Sequence, residues 1–418
     1  MSDQGGRNVR DLRRSNRSLM LRHLYFHQSV SRQDLIRATG LSTASVSNVV
    51  TDLIDDGIVV EAGAVESEGG RPRILLEVDN SRFQVIGVDV GETHVRVERF
   101  DLALSELARA DIPMTPGHYE PEVVVAGIAA GLAAVGTDSG AELLGIGIGV
   151  PGIVQAGPEA VVHCQTIGWD AVPLEALLRR VTDLPLFIDN GATTMGQAEM
   201  WFGAGLAAAD TVFLLIGSGV GASVLAGGEP YRGASTSAGE WGHVTAEIGG
   251  RRCRCGARGC LEAYIGAESV IARYREATGA APAGLTDGEE GDEETVLRRI
   301  LRTAGQEEVS PDVLAARAVL DETALHIGVG IGNLVNLFNP QRVIIGGWAG
   351  LLLAGPLLPR IHEVAREHAL HYPFSRTAIE LGRLGPDAVA RGAATLPVAR
   401  FLNSGGTVPQ SRPTGATR

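Results

Sequence analysis

Four residues of types that commonly ligate metal ions lie in one short central segment of the chain. Cys253, Cys255 and Cys260 fall within eight residues, and His243 precedes the first of them by ten. One imidazole and three thiolates make a complete tetrahedral ligand set for a structural zinc ion. Glycines after Cys255 and before Cys260 suit a tight metal-binding turn. The spacing predicts zinc, and buried free thiols are the alternative. Disulfides are disfavoured because nothing in the chain suggests secretion.

Two carboxylates flank this segment. Glu240 lies three residues before His243, and Glu262 lies two residues after Cys260. A closed metal site would bring both glutamates close together, and a rigid pair of carboxylates can accept hydrogen bonds from neighbouring sugar hydroxyls. Alternatively, both are solvated or they orient the metal ligands. Spacing alone leaves these interpretations open.

Length and charge limit the classes of protein to which the chain can belong. Its 418 residues allow two or three domains. There is no apolar run of membrane-spanning length and no apolar core of a signal peptide, so we expect a cytoplasmic protein without membrane association. The net charge is −13, yet residues 1–75 hold ten arginines against nine acidic residues. The acidic body is not typical of a nucleic-acid binder, whereas the N-terminal segment could bind DNA.

The N-terminal segment has the pattern of a winged helix-turn-helix over residues 15–80. Ser31 is a candidate N-cap for a helix that Gly40 ends, and Ser42 begins the next helix after a short turn. The expected elements are helices over 16–26, 31–39 and 42–56 and wing strands over 58–61 and 74–78.

The third of these helices is the candidate recognition helix, because its early residues are small and polar and can approach base edges and phosphates. These residues are Ser42, Thr43, Ser45, Ser47 and Asn48. Arg71 and Arg73 lie at the wing tip, where they would enter a minor groove or bind phosphate. The implied partner is a double-stranded DNA operator. A small helical protein-interaction module is the alternative.

From residue 83 the pattern changes to that of an α/β domain. Buried strands end repeatedly in glycine-rich or acidic turns and alternate with helices, which predicts a cleft at the strand ends. We expect a body over residues 83–402 with lobes of about 83–200 and 201–402. The segments expected to lack regular structure are a flexible arm over 1–14, an acidic loop over 284–294 and a disordered tail over 403–418.

Together these features resemble the ROK family of repressors and sugar kinases, over about residues 15–402. The segments that carry the resemblance are 214–243, the zinc motif within 243–262, the turn 149–152 and the strand end 343–347. The winged helix with its Gly-Gly-Arg-Pro tip is similar to that of the repressor branch. The resemblance implies an actin-like (ribonuclease H-like) two-lobed body that binds ATP and sugar between its lobes.

The resemblance also implies roles for cleft residues. The residues that match the family's sugar-binding positions are Asn190, Glu240, His243 and Glu262. His243 would then bind zinc through one ring nitrogen and face the sugar with the other. The vestigial nucleotide-binding positions are Asp89, Gly91, Thr93, Gly217, Gly219 and Gly221.

Two positions depart from the kinase pattern. The kinases have Asp-x-Gly-Gly-Thr in the first phosphate loop, and Glu92 here replaces a glycine that lets the backbone approach phosphate. In the kinases an Asp that serves as general base follows the Asn, whereas Gly191 follows Asn190 here and cannot accept a proton. A shifted alignment would make Asp189 the base, but Asn190 would then lose its sugar-binding place.

The sequence therefore predicts a sugar-responsive transcriptional repressor of carbohydrate metabolism genes without catalytic activity. A sugar would change the closure of the lobes and thereby the spacing of the DNA-binding heads in a homodimer or homotetramer. The missing carboxylate at Gly191 could admit a sugar phosphate. The alternatives are an active ATP-dependent sugar kinase with an accessory DNA-binding domain, and a ROK regulator that binds no sugar.

Overall fold

A computed structural model describes residues 9–67, 70–137, 140–155, 157, 159–206, 208–279 and 292–410. Parts of three segments expected to lack structure, namely residues 1–8, 284–291 and 411–418, lie outside these ranges. Within the described ranges, no helix is long and apolar enough to cross a bilayer.

The first six elements form a winged helix-turn-helix head. They are α1 (Val9–Phe26), β1 (Val30–Ser31), α2 (Arg32–Thr39), α3 (Thr43–Asp55), β2 (Val59–Ser67) and β3 (Gly70–Val78). The predicted caps set the helix ends. Ser31 and Asp34 form a reciprocal capping box at the start of α2, and Gly40 ends α2 at φ +68°. The side chain of Ser42 caps α3 by accepting from the Ser45 amide.

The first helix is longer than predicted. It begins at Val9, so the expectation of a flexible arm is wrong for residues 9–14. Within the added residues, Arg13 pairs with Asp52 of α3. Farther along α1, Arg17 pairs with Asp56, which directly follows α3. The wing strands also exceed their predicted bounds, because β2 and β3 pair along the whole hairpin.

The body contains two five-stranded sheets of matching topology. The first lobe consists of β4 (Phe83–Val90), β5 (His94–Asp101), β6 (Glu106–Pro113), α4 (Pro121–Val135), β7 (Glu142–Val150), β8 (Ile153–Gln155), β9 (Val161–Cys164), β10 (Trp169–Val172), α5 (Leu174–Leu178), β11 (Leu186–Asn190) and α6 (Gly191–Phe202). Its main sheet has the order β11-β7-β4-β5-β6, and β8, β9 and β10 form a separate small sheet.

The remaining elements are β12 (Thr211–Ile216), β13 (Val220–Ala226), β14 (Glu229–Pro230), α7 (Glu262–Ile265), α8 (Ala267–Thr278), α9 (Glu293–Ala304), α10 (Pro311–Phe338), β15 (Arg342–Gly346), α11 (Trp348–His368), α12 (His371–Phe374), β16 (Ala378–Leu381) and α13 (Ala388–Asn403). Their sheet has the order β14-β13-β12-β15-β16. Each main sheet therefore joins three antiparallel strands to two parallel ones. This duplicated arrangement confirms the predicted two-lobed α/β class.

The predicted second lobe over residues 201–402 includes the last helix, α13. In the structure, α13 packs on the first lobe instead. A Cβ atom at Gly87 would lie 2.0 Å from the carbonyl oxygen of Ala390, and one at Gly147 would lie 1.8 Å from that of Ala393. Only glycine permits such an approach. The backbone of α13 therefore lies directly on β4 and β7 of the first lobe.

The head and the body share one hydrophobic core. Leu21 and Leu24 of α1 are buried in the same cluster as Phe401 and Leu402 of α13. Beyond α13 the chain follows α1, and Nε of Arg17 donates to the carbonyl oxygen of Gly405 at 2.8 Å. The expectation of a disordered tail is therefore wrong for residues 403–410.

Candidate functional site

A cleft of about 450 Å³ opens between the two lobes, within the range of small-molecule sites. The predicted sugar-binding residues that line it are Asn190, Glu240, His243 and Glu262. The predicted vestigial nucleotide-binding residues that line it are Asp89, Gly91, Thr93, Gly217, Gly219 and Gly221. Residues separated by more than 170 positions in the chain thus meet at the strand ends, where the sequence predicted a cleft.

The four candidate metal ligands converge at one edge of this cleft. The ligand atoms of His243, Cys253, Cys255 and Cys260 all lie within 4.8 Å of one another. Sγ of Cys255 lies 3.8 Å from Sγ of Cys260, as expected for two corners of a tetrahedron with Zn–S bonds of about 2.3 Å. Burial raises the pKa of the Cys253 thiol to about 12, so a bound cation is needed to hold it as a thiolate. The donor set and its spacing fit zinc.

A glycine closes the turn that carries these cysteines. Gly259 adopts φ +77°, and a Cβ atom there would lie 1.7 Å from the carbonyl oxygen of Glu247. The backbone amides of Ala246 and Glu247 both donate to the Gly259 carbonyl. The loop is therefore held by backbone contacts on both sides of the ligand cluster.

Glu262 connects the metal loop to the second glycine loop. Its side chain is buried, and Oε2 accepts from the Val220 amide at 3.0 Å while Oε1 lies 3.8 Å from Sγ of Cys253. Glu240 lies nearby, directly before a 3₁₀ turn that contains His243. Burial raises the pKa of Glu240; His243 opposes this rise and Glu262 adds to it. Glu262 is thus not a solvated carboxylate, and the two glutamates lie close enough to influence each other.

Asn190 lies at the junction of β11 and α6 and is largely satisfied by the protein itself. Its Oδ1 accepts from the amides of Ala192 and Thr193, which makes it the N-cap of α6. Its Nδ2 donates to the carbonyl oxygen of Gly152 at 2.6 Å. A side-chain amide has two donor hydrogens, so one N–H of Asn190 remains for a ligand.

Asp189 is not placed to act as a base. Both of its carboxylate oxygens bind the guanidinium of Arg232, at 3.0 and 2.7 Å. At Gly191, by contrast, the position of a Cβ atom is open, with Val150 and Val389 no nearer than 3.6 Å. The cleft has room for a carboxylate at the family's base position, and the chain carries none there.

An ion pair bridges the cleft in front of the glycine loops. Nη1 of Arg254 lies 2.5 Å from Oε2 of Glu92, and Nη2 binds the carbonyl oxygen of Ser218 at 3.2 Å. A Cβ atom at Gly219 would lie 3.7 Å from Oε1 of Glu92 and 3.8 Å from Nη2 of Arg254. Two paired, oppositely charged side chains therefore lie directly beside the second glycine loop.

Helix α3, the candidate recognition helix, presents a polar surface at its start. Ser42, Thr43 and Asn48 are exposed, whereas Ser45 and Ser47 are partly buried. Ser42 and Ser45 also bind each other as a cap, so these two serines are partly committed to the helix itself. Within the wing, Arg73 is exposed and lies in β3 opposite Val65. The side chain of Arg71 lies outside the described part of the chain.

Sequence reasoning missed the two arginines of the cleft. Arg254 binds a glutamate 162 positions away, and Arg232 binds an aspartate 43 positions away. One signal for Arg254 was available in the sequence, namely its position between Cys253 and Cys255. A loop closed by a metal would fix the orientation of the side chains that it carries.

A family model described as the ROK family matches residues 85–399. The chain belongs to the ROK family. A xylose repressor of Caldicellulosiruptor bescii is 29% identical to this ROK protein. The alignment covers 94% of this chain and 97% of the repressor. A glucokinase of Halalkalibacterium halodurans is 33% identical over 74% of this chain and 94% of the glucokinase. The match to the repressor extends beyond the body into the head, whereas the match to the glucokinase spans no more residues than the body contains.

A solved structure gives the same picture of the fold. It is a ROK family transcriptional regulator described as a homolog of the E. coli MLC protein, with a TM-score of 0.75 and 23% identity. The alignment covers 94% of this ROK chain and 98% of the solved one. The arrangement of head and two-lobed body is therefore shared along nearly the whole length of both proteins.

Proposed function

We propose that this ROK protein is a sugar-responsive DNA-binding repressor of carbohydrate metabolism genes that has no kinase activity. The observation that carries the proposal is the Glu92–Arg254 pair, which lies beside the second glycine loop, while Glu240 and Glu262 still line the cleft. The pair would keep phosphate out, and the two glutamates would bind sugar. The effector is a small sugar or sugar phosphate, the partner is a double-stranded DNA operator, and the site of action is the cytoplasm, where that operator lies.

The proposed loss of catalysis is supported by two further positions, Gly191 and Asp189. Transfer of a phosphoryl group to a sugar hydroxyl needs a carboxylate to accept the proton, and such assistance is worth about 10²–10⁴-fold in rate. Gly191 cannot supply it, and Asp189 is engaged by Arg232. The repressor relative, which matches the head as well as the body, supports the regulatory function.

The metal would act on the shape of the pocket. Zinc bound by His243 and the three cysteines would hold the loop that carries Arg254 and precedes Glu262. Because Oε1 of Glu262 lies 3.8 Å from Sγ of Cys253, the position of this carboxylate depends on the closed ligand cluster. Zinc is thus proposed as a structural cofactor of the sugar pocket.

The DNA-binding surface would comprise the start of α3 and the wing. Ser42, Thr43 and Asn48 would approach base edges together with Ser45 and Ser47, while Arg71 and Arg73 would bind phosphate or enter the minor groove. A palindromic operator requires two heads, so the functional form is a homodimer or a homotetramer.

Isothermal titration calorimetry of the zinc-loaded protein tests the proposal. Glucose, xylose, N-acetylglucosamine and available phosphorylated forms would be titrated with and without ATP. Binding of one sugar without ATP, followed by an operator-binding shift at saturating sugar, is the expected result. Heat that continues after saturation in the presence of ATP would instead identify the kinase, and the glucokinase relative makes this the competing activity. A protein that binds the operator but none of these sugars would be a regulator of another kind.

A further inference from the structure

We propose that helix α6 carries the state of the sugar pocket to the DNA-binding head. One end of this helix begins at Asn190 in the cleft, and the other end contacts α1 through Trp201 and Phe202. The inference rests on the proposed function, since it names the element through which sugar regulates DNA binding.

A ligand in the cleft would act on the start of α6, because Asn190 both lines the cleft and caps this helix. The Asn190 side chain that matches a sugar-binding position is also the cap for the Ala192 and Thr193 amides. The same side chain is tied to the Gly152 carbonyl of the preceding turn. A sugar that draws on the free N–H of Asn190 therefore acts on the first turn of the helix directly.

The body of α6 is packed too closely to absorb a displacement. A Cβ atom at Gly392 of α13 would lie 2.0 Å from the carbonyl oxygen of Thr194, so the two helix backbones are in contact. On the second lobe, a Cβ atom at Gly196 would lie 2.9 Å from Ser223 and 3.0 Å from Phe213. A helix held between both lobes moves when the lobes move, because close-packed interiors transmit shifts rather than absorb them.

The far end of α6 meets the head through aromatic rings. The helix has 12 residues and so spans about 18 Å. The ring centroid of Trp201 lies 5.0 Å from that of Phe26, nearly edge-on at 88°, and 6.0 Å from that of Tyr25. Phe202 lies 6.4 Å from Tyr25, and the Tyr25 hydroxyl donates to the Leu102 carbonyl at 2.7 Å. The energy of an edge-to-face pair depends on the angle between the two rings. A rotation of α6 would therefore change how α1 packs against it.

Helix α1 is joined to α3 by packing and by two ion pairs. Leu21 of α1 and Leu53 of α3 are buried in one cluster. Arg13 pairs with Asp52 of α3, and Arg17 pairs with Asp56 directly after it. A change in the tilt of α1 is therefore passed to α3, and with it to the spacing of two heads on an operator.

The substitution Phe26→Leu tests this inference. Phe26 is 37% exposed, so the change removes the ring contact with Trp201 without opening a deep cavity. Phe338→Leu is the matched control, because Phe338 is 43% exposed at the end of α10 in the second lobe. Operator affinity would be measured by fluorescence anisotropy with and without saturating sugar, and sugar affinity by calorimetry.

The expected result is a loss of coupling without a loss of binding. Wild type and Phe338→Leu should show the same sugar-dependent ratio of operator affinities, about 5–150-fold for typical allosteric coupling. Phe26→Leu should keep its sugar affinity within about twofold while this ratio falls toward one. Hydrogen exchange adds a second measurement: sugar should slow exchange at Ala192 and Thr193 in both proteins, but alter exchange in α1 in wild type only.

The outcomes separate this inference from the proposed function. A sugar-dependent ratio that persists unchanged in Phe26→Leu would overturn the role of α6 and leave the repressor function standing. If the operator affinity of the wild type changes with none of the sugars that it binds, both the role of α6 and the proposed function are overturned. A reduced ratio in Phe338→Leu as well would show that the effect is not specific to the α6–α1 contact and would likewise overturn the inference.

Discussion

Arg254 lies between two candidate zinc ligands and binds Glu92 across the cleft, with Nη1 2.5 Å from Oε2. The guanidinium also faces Glu262 at 3.6 Å and Glu268 at 3.4 Å. Burial raises the pKa of Glu92, and Arg254 opposes that rise. Glu92, which departs from the kinase glycine pattern, thus has a defined partner on the opposite lobe. This contact joins the metal loop to the first lobe, and under the proposed function it would also keep phosphate out.

Replacement of Glu92 by glycine should create nucleotide affinity. The variant Glu92→Gly removes a negative charge beside Gly219 and frees Arg254 to meet phosphate. We expect the affinity for a non-hydrolysable ATP analogue with Mg²⁺ to rise about tenfold or more, equivalent to about 1.4 kcal/mol, as measured by calorimetry. Glu268→Gln is the control, since Glu268 contacts the same arginine but its side chain is 56% exposed. Equal affinities in the two variants would contradict the blocking role of Glu92.

Loss of a metal ligand should weaken sugar binding. Cys260→Ser should abolish stoichiometric zinc, and sugar affinity should fall about 10–100-fold because Glu262 loses its fixed position and its charged hydrogen bonds. Metal content would be measured by elemental analysis and sugar affinity by calorimetry. Cys164→Ser is the control for zinc content, because Cys164 is buried beside Thr166 and away from the ligand cluster. Unchanged sugar affinity in zinc-free Cys260→Ser would refute the structural role of the metal.

The wing should contribute electrostatically to operator binding. Arg73→Ala should weaken binding several-fold and lower the slope of log affinity against log salt by about one. Arg71→Ala is expected to act in the same way. Arg376→Ala is the control, because that guanidinium belongs to the second lobe and lies over the ring of Tyr372. A salt slope equal to that of the control would remove the wing from the interface.

A carboxylate at Gly191 should discriminate against phosphorylated sugars. The variant Gly191→Asp has room in the cleft, and its charge would repel a sugar phosphate. We expect its affinity for glucose 6-phosphate to fall about tenfold or more relative to Gly191→Asn, which has the same shape without the charge. Glucose itself should distinguish the two variants by less than about threefold. No binding of any phosphosugar by wild type, with free sugars bound, would show that the effector is unphosphorylated.

The buried carboxyl of Glu98 should make stability depend on pH. Burial raises the pKa of Glu98 to about 7, Asp387 adds to the rise, and Arg96 and Arg109 oppose it. The native carboxyl then holds its proton at pH values where the unfolded chain has released it, so the free energy of unfolding falls as pH rises from 4.5 to about 7. Glu98→Gln should therefore stabilise the protein at pH 8, by about 3 kcal/mol at most, and leave it nearly unchanged below pH 4.5.

Thermal unfolding of Glu98→Gln and wild type across this range measures the difference. Glu363→Gln is the control, because Glu363 is exposed and pairs with Arg360 on the surface, where such pairs contribute about 0–1 kcal/mol. A melting temperature difference that is the same at pH 5 and pH 8 would contradict the assignment of the titrating group.

Local signals made much of this fold predictable. Ser31, Gly40 and Ser42 act over three or four residues, so they reveal the helix-turn-helix without knowledge of the rest. The metal cluster was predictable for the same reason, because three of its four ligands lie within eight residues of the sequence. The resemblance to a family then supplied the residues that meet from distant segments, such as Asn190 and Glu262.

Contacts between distant segments were not predictable in this way. Glu92 and Arg254 are each ordinary charged residues until the fold brings them together. Glycines in strands, such as Gly87 and Gly147, gave no indication that the last helix would lie against them. The helical start of α1 and the course of residues 404–410 were likewise not predictable, because each rests on contacts with distant residues, such as Arg13 with Asp52 and Arg17 with Gly405.

The contact between Arg17 and Gly405 joins residues that are 388 positions apart in the chain. During synthesis, α3 emerges from the ribosome long before α13, the helix against which α1 packs. A product that ends before α13 would contain all six elements of the head and still lack this packing surface. The packing of the head on the body is therefore completed only after α13 has been made.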